Sequence, residues 1–201
     1  TCLLLMFIGR VPMKFLMMVC LVGVLALTAA VFLGQRGGTF VSRIENFASD
    51  DEIPYQAKHS YIAIATGGVT GKGPGNSDQR NFLPHPYSDF IFAIIIEEYG
   101  LIGGGSVLFL YLALLYRGMR VVAISTRPFG GLLSAGLSFA LVLQAMVNMA
   151  VAVGIAPITG LPLPLLSMGG TSLLFTGISL GIILSISRGD HEDAYPIEVN
   201  T

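Results

Sequence analysis

The chain has 201 residues, of which 53% are apolar and only 11% carry a formal charge. An ordinary soluble domain has about 25% charged residues, and the mean hydropathy of this chain is +0.75, so the composition excludes a soluble globular protein. The net charge of −1 leaves no basic surface of the kind that nucleic-acid-binding proteins use, and no nucleic-acid partner is expected. Residues 128–187 contain no Asp, Glu, Lys or Arg, a run that only a lipid bilayer explains.

Apolar windows long enough to cross a bilayer set the organisation of the chain, because a spanning helix needs about 20 residues. They predict an all-α fold, namely one polytopic bundle of transmembrane helices with a long extracytoplasmic loop. Prolines within 157–164 divide the uncharged run into two helices, since proline breaks a helix interior. The predicted membrane segments are 1–8 as the end of a truncated helix, then full spans at 15–35, 90–116, 130–153 and 171–187.

The distribution of cations near the span ends predicts the orientation. Six cations lie on one side of the membrane, which is cytoplasmic by the positive-inside rule: Arg10, Lys14, Arg117, Arg120, Arg127 and Arg188. The loops 36–88 and 154–170 are then extracytoplasmic, and 188–201 is a cytoplasmic tail that we expect to be disordered. Residues 59–66 are apolar but too few to span, so they either rest at the interface or re-enter the membrane packed against protein.

Asp89 is the first candidate for chemistry because it lies where a proline-containing loop enters a span. Ser88 before it is a natural N-cap, and an acid in the first turn complements the helix dipole, so a capping role is the simpler interpretation. The alternative is a general base that acts on a substrate held at the membrane surface. Glu97 and Glu98 lie about 12 Å deeper, where a structural contact within the bundle competes with catalysis.

A glycine-rich stretch, Gly67–Ser77, precedes this region. It does not match the spacing of a Walker A phosphate loop, so a flexible glycine turn is the default interpretation. Its backbone N–H groups, together with Lys58, Lys72 and Arg80, could still meet an anionic substrate.

The remaining polar residues of interest form no recognised catalytic motif. His59, His85 and His191 are too scattered for a metal cage, which favours single solvated histidines. Gln144 and Asn148 are four residues apart on one helical face inside the membrane, and this spacing favours a hydrogen bond between helices.

Three blocks of the sequence resemble the signature blocks of the SEDS family, which includes the bacterial FtsW, RodA and SpoVE proteins. They are YQAKHSYIAIATGG at 55–68, NSDQRNFLPHPYSDFIFAIIIEEYGLIGG at 76–104 and QAMVNMAVAVGIAPITGLPLPLLSMGGTSLL at 144–174. The resemblance runs from about Lys14 to Arg188 and implies that the chain corresponds to the C-terminal half of a family member. Residues 75–79 resemble the division-type FtsW and SpoVE pattern more than that of RodA.

The resemblance implies a peptidoglycan glycosyltransferase that polymerises lipid II during septal cell-wall synthesis, on the outer face of the bacterial cytoplasmic membrane. The implied partners are a class B penicillin-binding transpeptidase and other membrane proteins of the divisome. Asp89 aligns with an acid that the family requires, and a base there would take the proton of the acceptor sugar hydroxyl. No organic cofactor is expected, and Mg²⁺, Mn²⁺ or cationic side chains would neutralise the leaving pyrophosphate. The predicted substrate-binding residues are Lys58, Lys72, Arg80, Ser88 and Glu97.

Two positions depart from the family pattern, since His85 replaces a Glu and Tyr87 replaces a His. Any auxiliary acid or base role at these positions is therefore not carried over. Separately, the fragment alone is expected to be inactive, because a substrate cavity in such a bundle needs walls from both halves. Three alternatives stay open: an elongation-type RodA-like polymerase, a lipid II flippase, and a non-catalytic membrane scaffold for a class B penicillin-binding protein. A flippase would be expected to contain ionisable residues at the membrane midplane and broken helices, whereas a scaffold would tolerate the loss of Asp89.

Overall fold

The structure is a computed structural model that describes residues 2–9, 11–33, 54–82, 88–125 and 128–194. These residues form helices and loops without a strand, which confirms the predicted all-α fold. The helices are α1 (Cys2–Ile8), α2 (Met13–Leu33), α3 (Tyr55–Gly67), α4 (Ile91–Ile124), α5 (Pro128–Ala152) and α6 (Gly170–Ala194), with a 3₁₀ turn at Gln79–Asn81.

Helices α4, α5 and α6 each contain a segment long and apolar enough to cross a membrane. In α2 the exposed side chains of the first fourteen residues, 13–26, are almost all apolar, and this helix packs mainly against α1 among the described elements. The described part of the chain is therefore a multi-pass membrane protein whose centre is the contact of α4 with α5.

Two helices extend past their predicted ends. Helix α4 continues to Ile124, so Arg117 and Arg120 lie in its last turns rather than in a loop, because arginine is a good helix former. Pro128 then starts α5, at a position where its missing N–H costs nothing. The prediction of disorder from residue 188 onward is wrong as far as Ala194, where α6 ends, because this segment contains no proline and polar residues can extend a helix into solvent.

The long loop predicted at 36–88 contains a helix, α3, which packs mainly against α4. Residues 36–53 and 83–87 of that loop lie outside the described residues. One face of α3 is buried, and its members recur every three or four residues: Ala57, Ser60, Ala63 and Gly67. Ser60 Oγ donates a 2.8 Å hydrogen bond to the backbone oxygen of Ala152 and so satisfies a carbonyl at the end of α5. Residues 59–66 therefore pack one face against protein, while their position relative to the membrane stays a prediction.

Small residues allow α4 and α5 to approach closely. A side-chain carbon added at Gly118 would overlap the Oγ and Cβ atoms of Ser138, and one added at Gly131 would lie 3.2 Å from the Cα atom of Val122. Small residues at a helix crossing maximise dispersion contacts, which hold helices together in lipid. The apolar core continues from this crossing toward the start of α4: Phe92, Ile96, Tyr111, Val142, Ala145, Met149, Ala152 and Leu163.

Helix α4 is interrupted at Gly100, whose φ of 69° and ψ of −169° are not helical. In a continuous helix the N–H groups of residues 101 and 102 would bond the carbonyl groups of residues 97 and 98. Instead, residues 67–73, here named the glycine segment, insert at the break. The N–H groups of Leu101 and Ile102 donate to Gly68 and Val69, while the carbonyl oxygens of residues 97 and 98 accept from Lys72 and Gly73.

This exchange satisfies every backbone group that the break releases, which a buried break requires. It also explains the glycines, because a Cβ atom at Gly67 would overlap the backbone of Ile96, and one at Gly100 would overlap the backbone of Val69. The segment predicted as a flexible glycine turn is instead fixed to α4 by four backbone hydrogen bonds.

We predict that Gly100→Ala lowers the thermal unfolding midpoint of the full-length protein in detergent, because the added carbon overlaps backbone and the residue must keep a positive φ. Gly105→Ala, in the same helix and with nothing within 4 Å of the added carbon, is the matched control. It should be neutral or raise stability by up to about 1 kcal/mol. Equal midpoints for the two variants would contradict the interlocked break.

Candidate active site

Asp89 lies in a short turn, Ser88–Phe90, directly before α4. The N-cap of α4 is Phe90, with no side-chain capping bond, so the prediction that Ser88 caps the helix is wrong. Ser88 Oγ instead donates a 3.1 Å hydrogen bond to Asp89 Oδ1. Phe90 is 1% exposed and occupies the position where a cap would lie, because its ring anchors the turn in the core. The Asp89 carboxylate is half-buried, and no cation pairs with it among the described residues.

Two distant residues fix the backbone of this turn. Asn148 Nδ2, on α5, donates to the carbonyl oxygen of Asp89 at 2.8 Å and to that of Leu161 at 2.7 Å. Ser167 Oγ donates to the carbonyl oxygen of Ser88 at 2.5 Å and accepts from the N–H group of Leu163 at 2.6 Å. The turn is thus held by its main chain, and the Asp89 side chain remains available for another role.

Residues 154–169, here named the proline loop, lie beside the Asp89 turn. Gly160 has a φ of 70°, and a Cβ atom built on it would lie 3.8 Å from Asp89 Oδ2. The proline loop therefore passes within van der Waals distance of the carboxylate. The loop is tied to the bundle through carbonyl groups: Gln144 Nε2 donates to Pro162 at 2.9 Å, and the hydroxyl of Tyr111 donates to Pro164. The amide pair at 144 and 148 therefore bonds loop carbonyls rather than another helix, which corrects the predicted interhelical bond.

We predict that Asn148→Leu lowers the free energy of unfolding by about 1–3 kcal/mol, because two carbonyl oxygens lose their donor in a part-buried site. Leu143→Ala, at a 43% exposed position on the same helix, is the control and should change stability less. Unfolding of the full-length protein in detergent, followed by circular dichroism, measures both variants. A smaller loss for Asn148→Leu than for the control would contradict the proposed clamp.

Glu97 forms a second polar cluster, one turn before the break in α4. Its side chain is 0% exposed, and both carboxylate oxygens accept hydrogen bonds. Lys72 Nζ donates to Oε1 at 2.8 Å and Ser77 Oγ donates to Oε2 at 2.5 Å. The backbone N–H groups of Asp78 and Gln79 complete the shell at 3.3 Å each. A buried charge requires this kind of pairing, so the geometry favours a structural role for Glu97, while its predicted contact with substrate stays a prediction.

Lys72 links the glycine segment to two acids. Its Nζ atom lies 2.8 Å from Asp78 Oδ2 and 2.8 Å from Glu97 Oε1. The hydrogen bonds to Asp78 and to Glu97 raise the pKa of Lys72 above its ordinary value, against a smaller opposing effect of desolvation. The side chain of Lys72 therefore neutralises the Glu97 carboxylate. Its backbone N–H donates to the carbonyl oxygen of the same residue, which the break in α4 leaves without a helical partner.

We predict that Lys72→Met lowers the free energy of unfolding by about 3 kcal/mol, because it leaves a buried carboxylate without its cation. Lys58→Met, at an exposed position on α3, is the control and should change it by less than about 0.5 kcal/mol. Because folding raises the pKa of Lys72, its stabilisation is complete below the ordinary lysine pKa of about 10.4 and is lost as the pH rises through the higher folded value. The difference in free energy of unfolding between wild type and Lys72→Met should therefore be constant from about pH 7 to 9. It should shrink once the pH exceeds the pKa of Lys72 in the folded protein.

In the described part of the chain, the predicted cations Lys58 and Arg80 form no hydrogen bond or ion pair with Asp89. Lys58 is exposed on α3, and Arg80 is half-buried in the 3₁₀ turn. The prediction that His59 is a solvated histidine is wrong. Its Nδ1 donates to Gln79 Oε1 at 2.7 Å, and its ring contacts those of Tyr55 and Phe82 at centroid distances of 4.3 and 5.5 Å. His85 lies outside the described residues, as does the side chain of His191.

A metal was the other predicted component of the site. Among the described residues, no group of three or more His, Cys, Asp or Glu side chains could hold a metal ion. The described residues around Asp89 therefore do not form a preassembled metal site, and a divalent cation stays a prediction.

A cavity of about 400 Å³ opens between α5 and α6 next to the proline loop. Gln144 and Pro162 lie at its end nearest the Asp89 turn, and hydroxyl groups follow one face of α6. Its lining is otherwise apolar, and the polar lining residues are Gln144, Thr171, Ser172, Thr176 and Ser179. The arrangement suits a ligand with a long apolar part and a polar end.

The chain is similar to several curated sequences. Stage V sporulation protein E of Bacillus subtilis is 35% identical over 193 residues, which are 94% of this chain and 52% of that protein. A probable peptidoglycan glycosyltransferase FtsW of Geobacter sulfurreducens is 39% identical over 170 residues, 82% of this chain and 46% of the relative. The chain thus spans about half the length of the curated relatives it matches.

A solved structure has the same fold. One chain of "Structural coordination of polymerization and crosslinking by a peptidoglycan synthase complex" matches with a TM-score of 0.68 and 27% identity, over 94% of this chain and 53% of that chain. The family model described as cell cycle protein, for FtsW, RodA and SpoVE, matches residues 1–192. The protein therefore belongs to the FtsW/RodA/SpoVE family, as the signature blocks predict.

Proposed function

We propose that the full-length protein is a peptidoglycan glycosyltransferase that polymerises lipid II, and that Asp89 is its general base. The observation that carries the proposal is the Asp89 turn itself, where Asn148 and Ser167 clamp the backbone while no cation of the described residues pairs with the carboxylate. Relatives of this chain are named as peptidoglycan glycosyltransferases, which supports the reaction class.

The chemistry follows from a fixed carboxylate. Asp89 accepts the proton of the acceptor sugar hydroxyl as that oxygen attacks the anomeric carbon of the donor sugar. The bond between this carbon and the pyrophosphate oxygen breaks, and the polyprenyl pyrophosphate leaves with the bonding electrons. A base positioned in this way contributes about 10²- to 10⁴-fold to such a rate, and the hydrogen bond from Ser88 orients the carboxylate.

The cavity between α5 and α6 gives a lipid-linked substrate a route to this turn. Its apolar lining suits the polyprenyl chain, while Gln144 and Pro162 place its polar end against the proline loop that contacts the Asp89 turn. The predicted substrate contacts of Lys58, Arg80 and Ser88 remain part of this proposal.

Location and partner are proposed on the same basis. The protein would lie in the bacterial cytoplasmic membrane with the Asp89 turn on the outer face, because Arg117 and Arg120 lie at the opposite end of α4. The matching structure is of a complex that couples polymerisation with crosslinking. A class B penicillin-binding transpeptidase is therefore the proposed partner, and septal synthesis in cell division, with other divisome proteins, is the proposed setting.

The flippase alternative gains one observation, the broken helix α4. In transporters a break of this kind exposes backbone groups to a ligand. Here the glycine segment occupies all four released groups, and the Glu97 carboxylate beside them is fully enclosed. The break therefore favours a structural role, and the enzyme remains the better-supported function.

We predict that Asp89→Asn reduces polymerisation of lipid II by purified full-length protein at least about 100-fold, because the amide cannot accept the proton. Folding should be retained, since Asn148 and Ser167 bond main-chain atoms of the turn. The matched control is Glu98→Gln, a half-buried acid further along α4, which should keep most of the activity. Polymerisation by Asp89→Asn at a near-wild-type rate would exclude Asp89 as the base and favour a flippase or scaffold.

A further inference from the structure

A second cavity, of about 450 Å³, lies between α4 and α6 at the end of the bundle opposite to the Asp89 turn. Both helices start on the side of that turn, at Ile91 and Gly170, so their later residues face the other membrane surface together. Leu110 and Arg120 both line the cavity and are separated by ten residues, or about 15 Å along the helix. The cavity is therefore a groove that runs along the membrane normal.

The lining of this groove changes along its length. Its upper part is apolar, with Leu110 and Leu180, and its lower end contains Arg117, Arg120 and Ser187. Both arginines are exposed, and the described part of the chain gives neither guanidinium an acidic partner. An apolar channel that ends in two unpaired cations is complementary to an amphiphile with an anionic head.

The position of the cations identifies the class of amphiphile. They lie at the end of a membrane-spanning segment, Ile91–Ala123, on the side that the positive-inside rule makes cytoplasmic. Anionic phospholipids are concentrated in the leaflet on that side, and basic pockets between helices bind their head groups. A guanidinium also binds phosphate through two parallel hydrogen bonds. We propose that this groove binds an anionic phospholipid of the cytoplasmic leaflet, with its phosphate on Arg117 and Arg120 and an acyl chain along Leu110 and Leu180.

Native mass spectrometry of the full-length protein, titrated with phosphatidylglycerol or phosphatidylcholine, tests the proposal without measuring polymerisation. Phosphatidylglycerol should bind preferentially, and Arg117→Gln and Arg120→Gln should each weaken its binding about five-fold. Lys14→Gln removes a cation from the same predicted side at an exposed position outside the groove, and it should leave binding unchanged.

A second pair of variants tests the apolar half without changing charge. Leu184→Trp places a large ring at a groove-lining position that is 68% exposed. Leu174→Trp does so at a 59% exposed position on the same helix, outside the two cavities described above. Only the first should weaken phosphatidylglycerol binding, and inorganic phosphate at millimolar concentration should not displace the lipid.

Three results would overturn the proposal. Equal binding of the two lipids would exclude an anionic site, and unchanged binding by both arginine variants would show that the lipid phosphate binds elsewhere. Displacement of phosphatidylglycerol by a polyprenyl pyrophosphate at one-tenth of its concentration would assign the groove to substrate. The Asp89→Asn variant should bind phosphatidylglycerol normally, so a failed base assignment and a failed lipid site can be told apart.

Discussion

The exchange of backbone hydrogen bonds at Gly100 is the constraint on which the rest of the structure depends. A helix broken inside an apolar bundle must satisfy two amides and two carbonyls, and the glycine segment supplies a partner for each. This requirement fixes α3 against α4, because the glycine segment follows directly from Gly67 at the end of α3. The ion pair with Lys72 then neutralises the negative charge of Glu97, which lies buried beside the break. One irregular residue thus determines the position of the whole helix α3.

Further hydrogen bonds connect α3 to the end of α5, and α5 to the turn before α4. Ser60 bonds the carbonyl of Ala152, and the proline loop leaves α5 immediately afterward. Prolines at 162 and 164 have no N–H group, so that part of the loop has more carbonyl acceptors than N–H donors, and neighbouring helices provide the missing donors. Gln144 and Asn148 are such donors. Asn148 reaches the Asp89 turn as well, so a single amide joins the loop to the proposed base.

The sequence was informative where one residue type has one dominant meaning. The uncharged run and its prolines predicted helices α5 and α6 from hydropathy and spacing alone. The role of Asp89 as a base came instead from the family resemblance, because its position before a span favoured a helix cap. The sequence was less informative where a role depends on a distant partner. Nothing near Ser167 in the sequence indicates that its hydroxyl bonds the carbonyl group of Ser88. Serine is a residue type favoured at N-caps, yet Phe90 and not Ser88 occupies the N-cap of α4. Gly100 shows the same limit, since a glycine in a spanning helix usually indicates close packing and only its bonds to the glycine segment reveal a break.

The sequence separations in the Asp89 turn have a consequence for the biogenesis of the protein. Ser88 is bonded by a residue 79 positions later, and Asp89 by one 59 positions later. Membrane helices enter the bilayer in order of synthesis, so α4 is inserted well before α5, the proline loop and Ser167 have been made. The turn can reach its final geometry only when the proline loop lies beside it. A chain synthesised only as far as α4 therefore carries the Asp89 carboxylate on a backbone that Asn148 and Ser167 do not yet hold.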